Sequence, residues 1–206
     1  WIKIIKKTIP NDFIGTNKGV NYFYDYVNNS NTIYIKLDND IVYLENNFIK
    51  NLSEFRKKNK EYPFIFANII NNNVIDHYHY LNNSYNFKTP IYNNCIGNLW
   101  SSKTLPIEIH NQFQEDIKNN NIIKFNLDNI VLNNFNRVSI NAISWIGGYI
   151  NFNNISGDDE QFISCVIPYY SNKPNIIYGD AICVHAGFFP QRTELLETII
   201  QKYNDI

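Results

Sequence analysis

Apolar segments of strand length alternate along this chain with segments of helical periodicity. Such alternation is typical of an α/β layer structure, in which helices cover the faces of a sheet. The predicted strands cover residues 1–6, 33–37, 63–70, 137–145 and 176–184, the last interrupted by Gly179 and Asp180. The predicted helices cover residues 19–27, 46–59, 106–118, 156–167 and 190–203, and residues 71–105 are expected to be rich in loops.

Two of the predicted helices carry recognisable start signals. Ser156, followed three residues later by Asp159, has the form of a capping box. Pro190 is placed to be the first residue of the last helix, where its missing N–H is tolerated.

The size and composition of the chain favour one globular domain. Its 206 residues are 44% hydrophobic and 18% charged, with a formal net charge of −1. This balance argues against a nucleic-acid or membrane-surface binder. Three cysteines without metal-type spacing indicate free thiols rather than a disulfide framework. The 37 Asn and 34 Ile residues point to an AT-rich genome. No apolar run reaches the roughly 20 residues of a membrane span and no signal peptide is present, so a cytoplasmic protein is expected.

The segment IYIKLDNDIVYLE, residues 33–45, places Asp38 and Asp40 in the middle of an apolar strand pattern. A carboxylate in such a place is costly to desolvate unless it is paired or binds a metal ion. Asp38 would lie at the end of its strand, where ligands of open α/β sheets bind, and both acids would reach one divalent cation. The equally weighted alternative is a surface β-turn in a hairpin, because Asp and Asn favour turns. An EF-hand is excluded, since Tyr43 stands where its glycine would be.

Two later stretches favour the metal interpretation. SGDDEQF, residues 156–162, places three acids in a row at a helix start, which exceeds what a cap requires, although acids are favoured there by the helix dipole. AICVHAGF, residues 181–188, presents His185 at the end of an apolar strand. A lone histidine there is more often a hydrogen-bonded core residue, so the argument depends on the three segments together.

Taken in order, the segments resemble GT-A-type glycosyltransferases with an Asp-x-Asp motif. YIKLDNDIVYL, FANIIN, RVSINAISW, GDDEQFI and HAGFFPQR are also similar to GT-A-like proteins of fungi and large DNA viruses, and the resemblance covers about residues 30–192. It implies a Rossmann-like mixed sheet flanked by helices in a single domain, 1–206. Only about 30 residues precede the Asp-x-Asp, so the N-terminal nucleoside-binding unit is expected to be incomplete.

The resemblance also implies a function and a set of site residues. Asp38 and Asp40 would hold a divalent metal ion with the diphosphate of a nucleotide sugar, a UDP- or GDP-sugar. His185 would complete the metal site, and Asp159 or, second, Glu160 would be the catalytic base that acts on the hydroxyl of a glycan or protein acceptor. Two carboxylates and an imidazole suit Mn²⁺ better than Mg²⁺, and the metal would neutralise the leaving diphosphate.

Several assignments stay open at this stage. Arg137 and Asn141 are candidates for binding phosphate or sugar hydroxyls, and a structural ion pair of Arg137 is equally expected. A carbohydrate- or partner-binding module without turnover is the main alternative function. A two-metal phosphodiesterase is a third, and it would require a more basic groove.

The remaining histidines and tryptophans give weaker signals. His77 and His79 are expected on one face of a strand, where zinc binding would need further ligands. Trp100 is expected in a loop, where it can stack on a sugar, whereas Trp145 and His110 are expected to be structural.

Overall fold

The structure is a computed structural model that describes residues 11, 17–148, 150–152, 155 and 158–206. The predicted strand at residues 1–6 and the predicted cap Ser156 lie outside the described residues. None of the helices in the described part of the chain is long and apolar enough to cross a membrane.

A mixed sheet organises the described part of the chain. Its strands are β1 Ile33–Leu37, β2 Ile41–Leu44, β3 Ile65–Ile70, β4 Ile130–Leu132, β5 Ala142–Ile146 and β6 Asn175–His185. Their order is β1-β5-β3-β6-β2, with β4 also paired to β6. Strands β3 and β6 are parallel, and the other pairs are antiparallel. The predicted α/β class, with a mixed sheet flanked by helices, is therefore confirmed.

Helices cover both faces of this sheet. They are α1 Phe48–Lys58, α2 Asn73–Leu81, α3 Asn98–Ser101, α4 Leu105–Lys118, α5 Asp159–Gln161, α6 Ile167–Ser171 and α7 Glu194–Gln201. A π-helical segment, Phe162–Val166, joins α5 to α6, and 3₁₀ helices cover Asn17–Tyr26, Ile122–Phe125, Phe189–Gln191 and Lys202–Asp205.

The core is divided by the sheet, as the side-chain alternation of β6 shows. Ala181 and Cys183 belong to the cluster that contains Leu52 of α1, whereas Ile182 and Val184 pack with Phe113 of α4. Successive residues of a strand point to opposite faces, so each face of β6 is buried under a helix. Cys95 and Cys183 are buried and Cys165 is half-buried, and all three are free thiols, as predicted.

A close approach of two chain segments requires the glycine in the middle of β6. A Cβ on Gly179 would lie 1.7 Å from the carbonyl oxygen of Leu127. The register between β3 and β6 shifts between Phe66 and Asn68, and the Asn68 amide donates to the carbonyl oxygens of Phe125 (2.8 Å) and Gly179 (2.7 Å). The predicted break at 179–180 is thus an irregularity within one continuous strand.

Replacing Asn68 with leucine should strongly destabilise the fold. The change removes the Asn68 partner of the buried Phe125 carbonyl and of the His79 Nε2–H, which donates to Asn68 Oδ1 at 2.7 Å. It also removes one of two hydrogen bonds to the Gly179 carbonyl, which keeps the one from the Leu127 N–H (3.4 Å). Buried groups left unpaired cost about 1–3 kcal/mol each, so we expect a loss of roughly 3 kcal/mol or more in the free energy of unfolding. Urea denaturation measures it, with exposed Asn111→Leu as the control. Equal stability of the two variants would contradict this role.

Residues 82–97 form a loop, as expected for the loop-rich stretch 71–105, but two helices that were not predicted, α2 and α3, also lie there. The Asn72 side chain accepts from the N–H of Ile75 (3.4 Å), and the Asn72 N–H donates to Asp76 Oδ2 (2.9 Å). This reciprocal capping starts a helix in a stretch where loops were expected. His77 and His79 therefore lie on a helix, where residues two apart face different directions, and the expected shared strand face is wrong. Trp100 lies in α3 rather than in a loop.

The helices predicted at residues 156–167 and 190–203 both begin later in the structure. Asp158 caps α5, since its side chain accepts from the N–H of Glu160 (2.9 Å). Pro190 lies in the separate 3₁₀ helix Phe189–Gln191, and Thr193, whose hydroxyl accepts from the N–H of Leu196 (3.2 Å), caps α7. The predicted strand at 137–145 is shorter, since β5 begins at Ala142.

Candidate functional site

The Asp-x-Asp segment forms a tight turn between β1 and β2. The N–H of Ile41 donates to the carbonyl oxygen of Asp38 (3.2 Å), which confirms the turn interpretation. The strands do not form the hairpin of that interpretation, because β1 pairs with β5 and β2 pairs with β6. Hydrogen bonds fix both ends: the Asp38 N–H donates to Asn141 O and the Ala186 N–H donates to Asp40 O, each at 2.8 Å.

This turn joins the two ends of the strand order β1-β5-β3-β6-β2. An extended chain advances at most about 3.5 Å per residue, so Leu37 and Ile41 are separated by no more than about 14 Å. Five strands in a flat sheet at about 4.8 Å spacing would separate their outer members by roughly 19 Å. The sheet must therefore curve at this edge, which gathers the ends of β1, β3 and β6 with the start of β5 around the turn.

The Asp38 carboxylate is held by two neighbours. It forms an ion pair with Lys36 Nζ, and its Oδ2 accepts from the Asn141 amide at 3.1 Å. Lys36 also donates to the carbonyl oxygen of Ile140 (3.0 Å). Asn141 in turn accepts from the Asn72 amide at 3.0 Å, so it orients Asp38 from a buried position.

The Asp40 carboxylate faces the imidazole of His185, with Oδ2 and Nε2 3.4 Å apart. His185 is 2% exposed, and its Nδ1–H donates to the carbonyl oxygen of Asn71 at 3.0 Å. Arg192 lies 3.4 Å from the same carboxylate oxygen. Burial acts to raise the pKa of Asp40, but the hydrogen bond and charge of His185, a backbone hydrogen bond and the charge of Arg192 outweigh it, so this pKa lies below its ordinary value.

Three acids open α5 and have different partners. Arg137 donates from Nε to Glu160 Oε1 at 2.6 Å and forms an ion pair with Asp158. Glu160 also accepts from the Cys95 thiol at 3.4 Å. Asp159 is not held by Arg137; instead its Oδ2 accepts from the Tyr24 hydroxyl at 2.8 Å.

Burial raises the pKa of Asp159, and the nearby charges of Asp158 and Asp38 act in the same direction. The Tyr24 hydrogen bond and the charge of Lys36 oppose this shift without cancelling it. Asp159 is therefore a stronger proton acceptor than a solvated aspartate.

A cavity of about 620 Å³ brings together predicted residues from distant parts of the chain. Asp38, Arg137, Asp159 and Glu160 line it, as do Lys36 and Tyr24, with Trp145 among its apolar residues. A second cavity, of about 460 Å³, lies beside Asp40, Arg192 and Glu197 of α7. Asn39, the middle residue of the turn, lines both.

The predicted metal ligands are only partly brought together. Among the residues that the structure describes, no group of three or more His, Cys, Asp or Glu side chains is arranged to hold a metal ion. Asp40 and His185 are adjacent, whereas Asp38 is engaged by Lys36 and Asn141. Arg137 forms the ion pair that was equally expected for it, with Asp158 and Glu160. Asn141 contacts Asp38, and binding of a donor by Asn141 and Arg137 stays a prediction.

The Asp40–His185 pair has a geometry that suits a cation. Because Nδ1 carries a proton donated to Asn71, Nε2 of a neutral imidazole presents a lone pair to a carboxylate oxygen 3.4 Å away. Two such acceptors face each other stably only with a proton or a cation between them. Donor atoms about 2.1 Å from one cation lie roughly 3.0–3.4 Å apart, so these two residues fit as metal ligands.

Lys36 and Tyr24 are site residues that the sequence interpretation missed. Lys36 carried a usable signal, because residues two apart on a strand share a face and Lys36 and Asp38 are two apart. Tyr24 carried none, since 135 residues separate it from Asp159.

The chain was compared with known proteins in three ways. No family model matches it, no curated protein matches it, and no solved structure matches it.

Proposed function

We propose that this chain is a GT-A-like glycosyltransferase domain that transfers a sugar from a UDP- or GDP-sugar to an acceptor hydroxyl with the help of a divalent metal ion. The observation that carries the proposal is that Asp38, of the Asp-x-Asp turn, and Asp159 line the same cavity. Asp159, an acid that can take a proton, thus lines the same cavity as Asp38 of the Asp-x-Asp motif, which in GT-A-type enzymes is associated with nucleotide sugars. Its volume of about 620 Å³ is within the usual range of small-molecule sites.

Asp159 is the preferred catalytic base in this proposal. The acceptor O–H proton passes to its carboxylate while the acceptor oxygen bonds to the anomeric carbon. The bond from that carbon to the diphosphate oxygen breaks, and the nucleoside diphosphate leaves with its electron pair. Asp159 suits this role because its pKa is raised, chiefly by burial, and because no arginine neutralises it.

Glu160 has a different role in the proposal. Its carboxylate is held by Arg137 and by the Cys95 thiol. These contacts fix the wall of the cavity at Glu160 and the start of α5. The Glu160 oxygen that Arg137 holds is already engaged and is not free to approach an acceptor hydroxyl. We therefore assign Glu160 and Arg137 to shaping the cavity, and Asp38 and Asn141 to holding the turn.

Asp40 and His185 are the residues that would hold the metal ion. Mn²⁺ fits a carboxylate–imidazole pair better than Mg²⁺, which favours oxygen ligands. When bound, such an ion acts as a Lewis acid that neutralises charge on a leaving diphosphate. The buried hydrogen bond from His185 Nδ1 to Asn71 keeps Nε2 aimed at Asp40.

A binding module without turnover is the second candidate. It is favoured by the ion pairs that already engage Asp38 and Glu160, because carboxylates neutralised in this way are less available for chemistry. Release of nucleoside diphosphate from a nucleotide sugar, with water as acceptor, separates the two candidates. A pure binder gives none.

Thermal unfolding with UDP or GDP, each with and without Mn²⁺, tests the proposal directly. At a ligand concentration near 100 times Kd, binding stabilises the folded state by about 2.7 kcal/mol. For a chain of this length that is a rise in Tm of roughly 5–10 °C. We expect the rise to require both Mn²⁺ and the nucleotide.

Asp40→Ala should abolish this Mn²⁺-dependent rise, because it removes one of the two adjacent ligands. Glu115→Ala, at an exposed acid of α4, is the matched control and should keep it. If Asp40→Ala responds like the parent chain, the metal assignment is wrong.

A further inference from the structure

Tyr24 is held rigidly at the wall of the larger cavity. It lies in the 3₁₀ helix Asn17–Tyr26 and is 5% exposed. Its ring stacks on Phe152, with centroids 4.5 Å apart and planes 11° apart, and its centroid lies 6.3 Å from that of Trp145. Because two aromatic neighbours fix the ring, the hydroxyl has one well-defined position.

That hydroxyl is directed at the candidate base. It donates to Asp159 Oδ2 at 2.8 Å, in a site where Asp159 is only 7% exposed. Hydrogen bonds to an ionised carboxylate are stronger than neutral ones, and they are stronger still away from water. The bond occupies Oδ2, so among the contacts of the described residues Oδ1 is the oxygen left for a substrate proton.

Charged groups surround Asp159 on several elements. Lys36 and Asp38 face it from β1 and the following turn, and Asp158 precedes it on its own helix. Glu160 follows it and is neutralised by Arg137. Of the influences that favour the ionised carboxylate, the Tyr24 hydrogen bond is the largest and Lys36 is second.

We propose that Tyr24 is a positioning residue of the candidate site, whose hydroxyl holds Asp159 ionised and oriented with Oδ1 towards the cavity. This inference rests on the proposed function, in which Asp159 is the base. It assigns a specific part to the 3₁₀ helix Asn17–Tyr26: this helix supplies a cavity wall through Val20 and Phe23, and it also positions the reacting carboxylate.

Tyr24→Phe tests the role, because it removes the hydroxyl and keeps the stacked ring. Tyr34→Phe is the matched control: Tyr34 also stacks on Trp145, with centroids 5.7 Å apart, but its hydroxyl accepts from the N–H of Asn29 rather than contacting Asp159. The first measurement is a carbon-13 NMR titration of the Asp159 carboxyl in the ligand-free protein, with the signal assigned by its loss in Asp159→Asn.

We expect Tyr24→Phe to move the titration midpoint of Asp159 upward by about one pH unit, as loss of a charge-assisted hydrogen bond implies. The acid limb of the pH–rate profile for nucleoside diphosphate release should move upward by the same amount. Tyr34→Phe should move neither. A purely structural role of Tyr24 would lower the rate at all pH values without moving that limb.

The outcomes separate this inference from the proposed function. An unchanged midpoint in Tyr24→Phe overturns the positioning role, whether or not the chain is active. A parent chain that releases no nucleoside diphosphate from UDP- or GDP-sugars with Mn²⁺ overturns the proposed function, and the catalytic meaning of Tyr24 with it. A moved midpoint together with a moved acid limb supports both.

Discussion

Asp159→Asn should lower the rate of nucleoside diphosphate release from a nucleotide sugar by about 10²–10⁴-fold, the usual contribution of a general base. The asparagine has nearly the same shape and can still accept from the Tyr24 hydroxyl, but its amide cannot take a proton. The loss should therefore appear in kcat, with the thermal stabilisation by UDP or GDP and Mn²⁺ largely unchanged.

Glu160→Gln is the informative comparison for this prediction. Glu160 is adjacent in sequence and lines the same cavity, yet Arg137 neutralises it. We expect a much smaller loss, within about tenfold, since it takes no proton from the acceptor. If Glu160→Gln is the severely impaired variant and Asp159→Asn is nearly normal, the base is Glu160. If both retain full activity, neither acid is the base.

Local sequence patterns were sufficient to predict β1, β3 and β6, but they did not predict β2, which follows the Asp-x-Asp turn. Alternation predicted β1 with its observed ends, and a continuous apolar run predicted β3, all six of whose residues are buried. The pattern failed at α2, which lies in the stretch 71–105 that was expected to be rich in loops. There the hydrogen bonds that Asn72 makes with Ile75 and with Asp76 outweigh the turn preference of asparagine, and this spacing was visible in the sequence.

The pairing of side chains within the site was less predictable. That Asp38 and Asp159 belong to one site was implied by the resemblance of the ordered segments, and both line the same cavity. Which cation neutralises which acid does not follow, because Lys36, Arg137 and Arg192 were all candidates and only the packed chain decides among them. For the same reason the sequence ranked Asp159 before Glu160 as base without showing that Arg137 pairs with Glu160.

The parent chain should lose stability as the pH rises from about 6.5 to 8. Asp76→Asn should remove this loss. Asp76 is fully buried, and burial raises its pKa to about 8, although hydrogen bonds from Tyr85 (2.5 Å) and from the Asn72 N–H (2.9 Å) oppose the shift. Between its unfolded value of 3.8 and about 8 the folded chain binds one more proton here than the unfolded chain. Stability from this group is complete at low pH and is lost as pH rises through the folded pKa.

Two buried histidines act in the opposite direction at lower pH. Burial lowers the pKa of His79 to about 3 and that of His110 to about 4, from 6.5. Between these lowered pKa values and 6.5, the unfolded chain binds more protons at the two histidines than the folded chain does. The histidines therefore make stability rise with pH up to about 6.5. Above that pH they are neutral in both states, and the window from about pH 6.5 to 8 isolates Asp76 from them.

Within that window the parent chain should lose about 1.4 kcal/mol of unfolding free energy per pH unit, or roughly 2 kcal/mol in all. Urea denaturation at several pH values measures the slope. Asp128→Asn, which changes an exposed acid, is the control and should keep the slope. Asp76→Asn should flatten the slope. This variant can also be less stable at every pH, because it weakens the hydrogen bond from the Asn72 N–H, but that effect does not change the slope. A parent chain equally stable across the window would mean that Asp76 is ionised throughout. The pKa of folded Asp76 would then lie below this window, so burial would raise it less than to about 8.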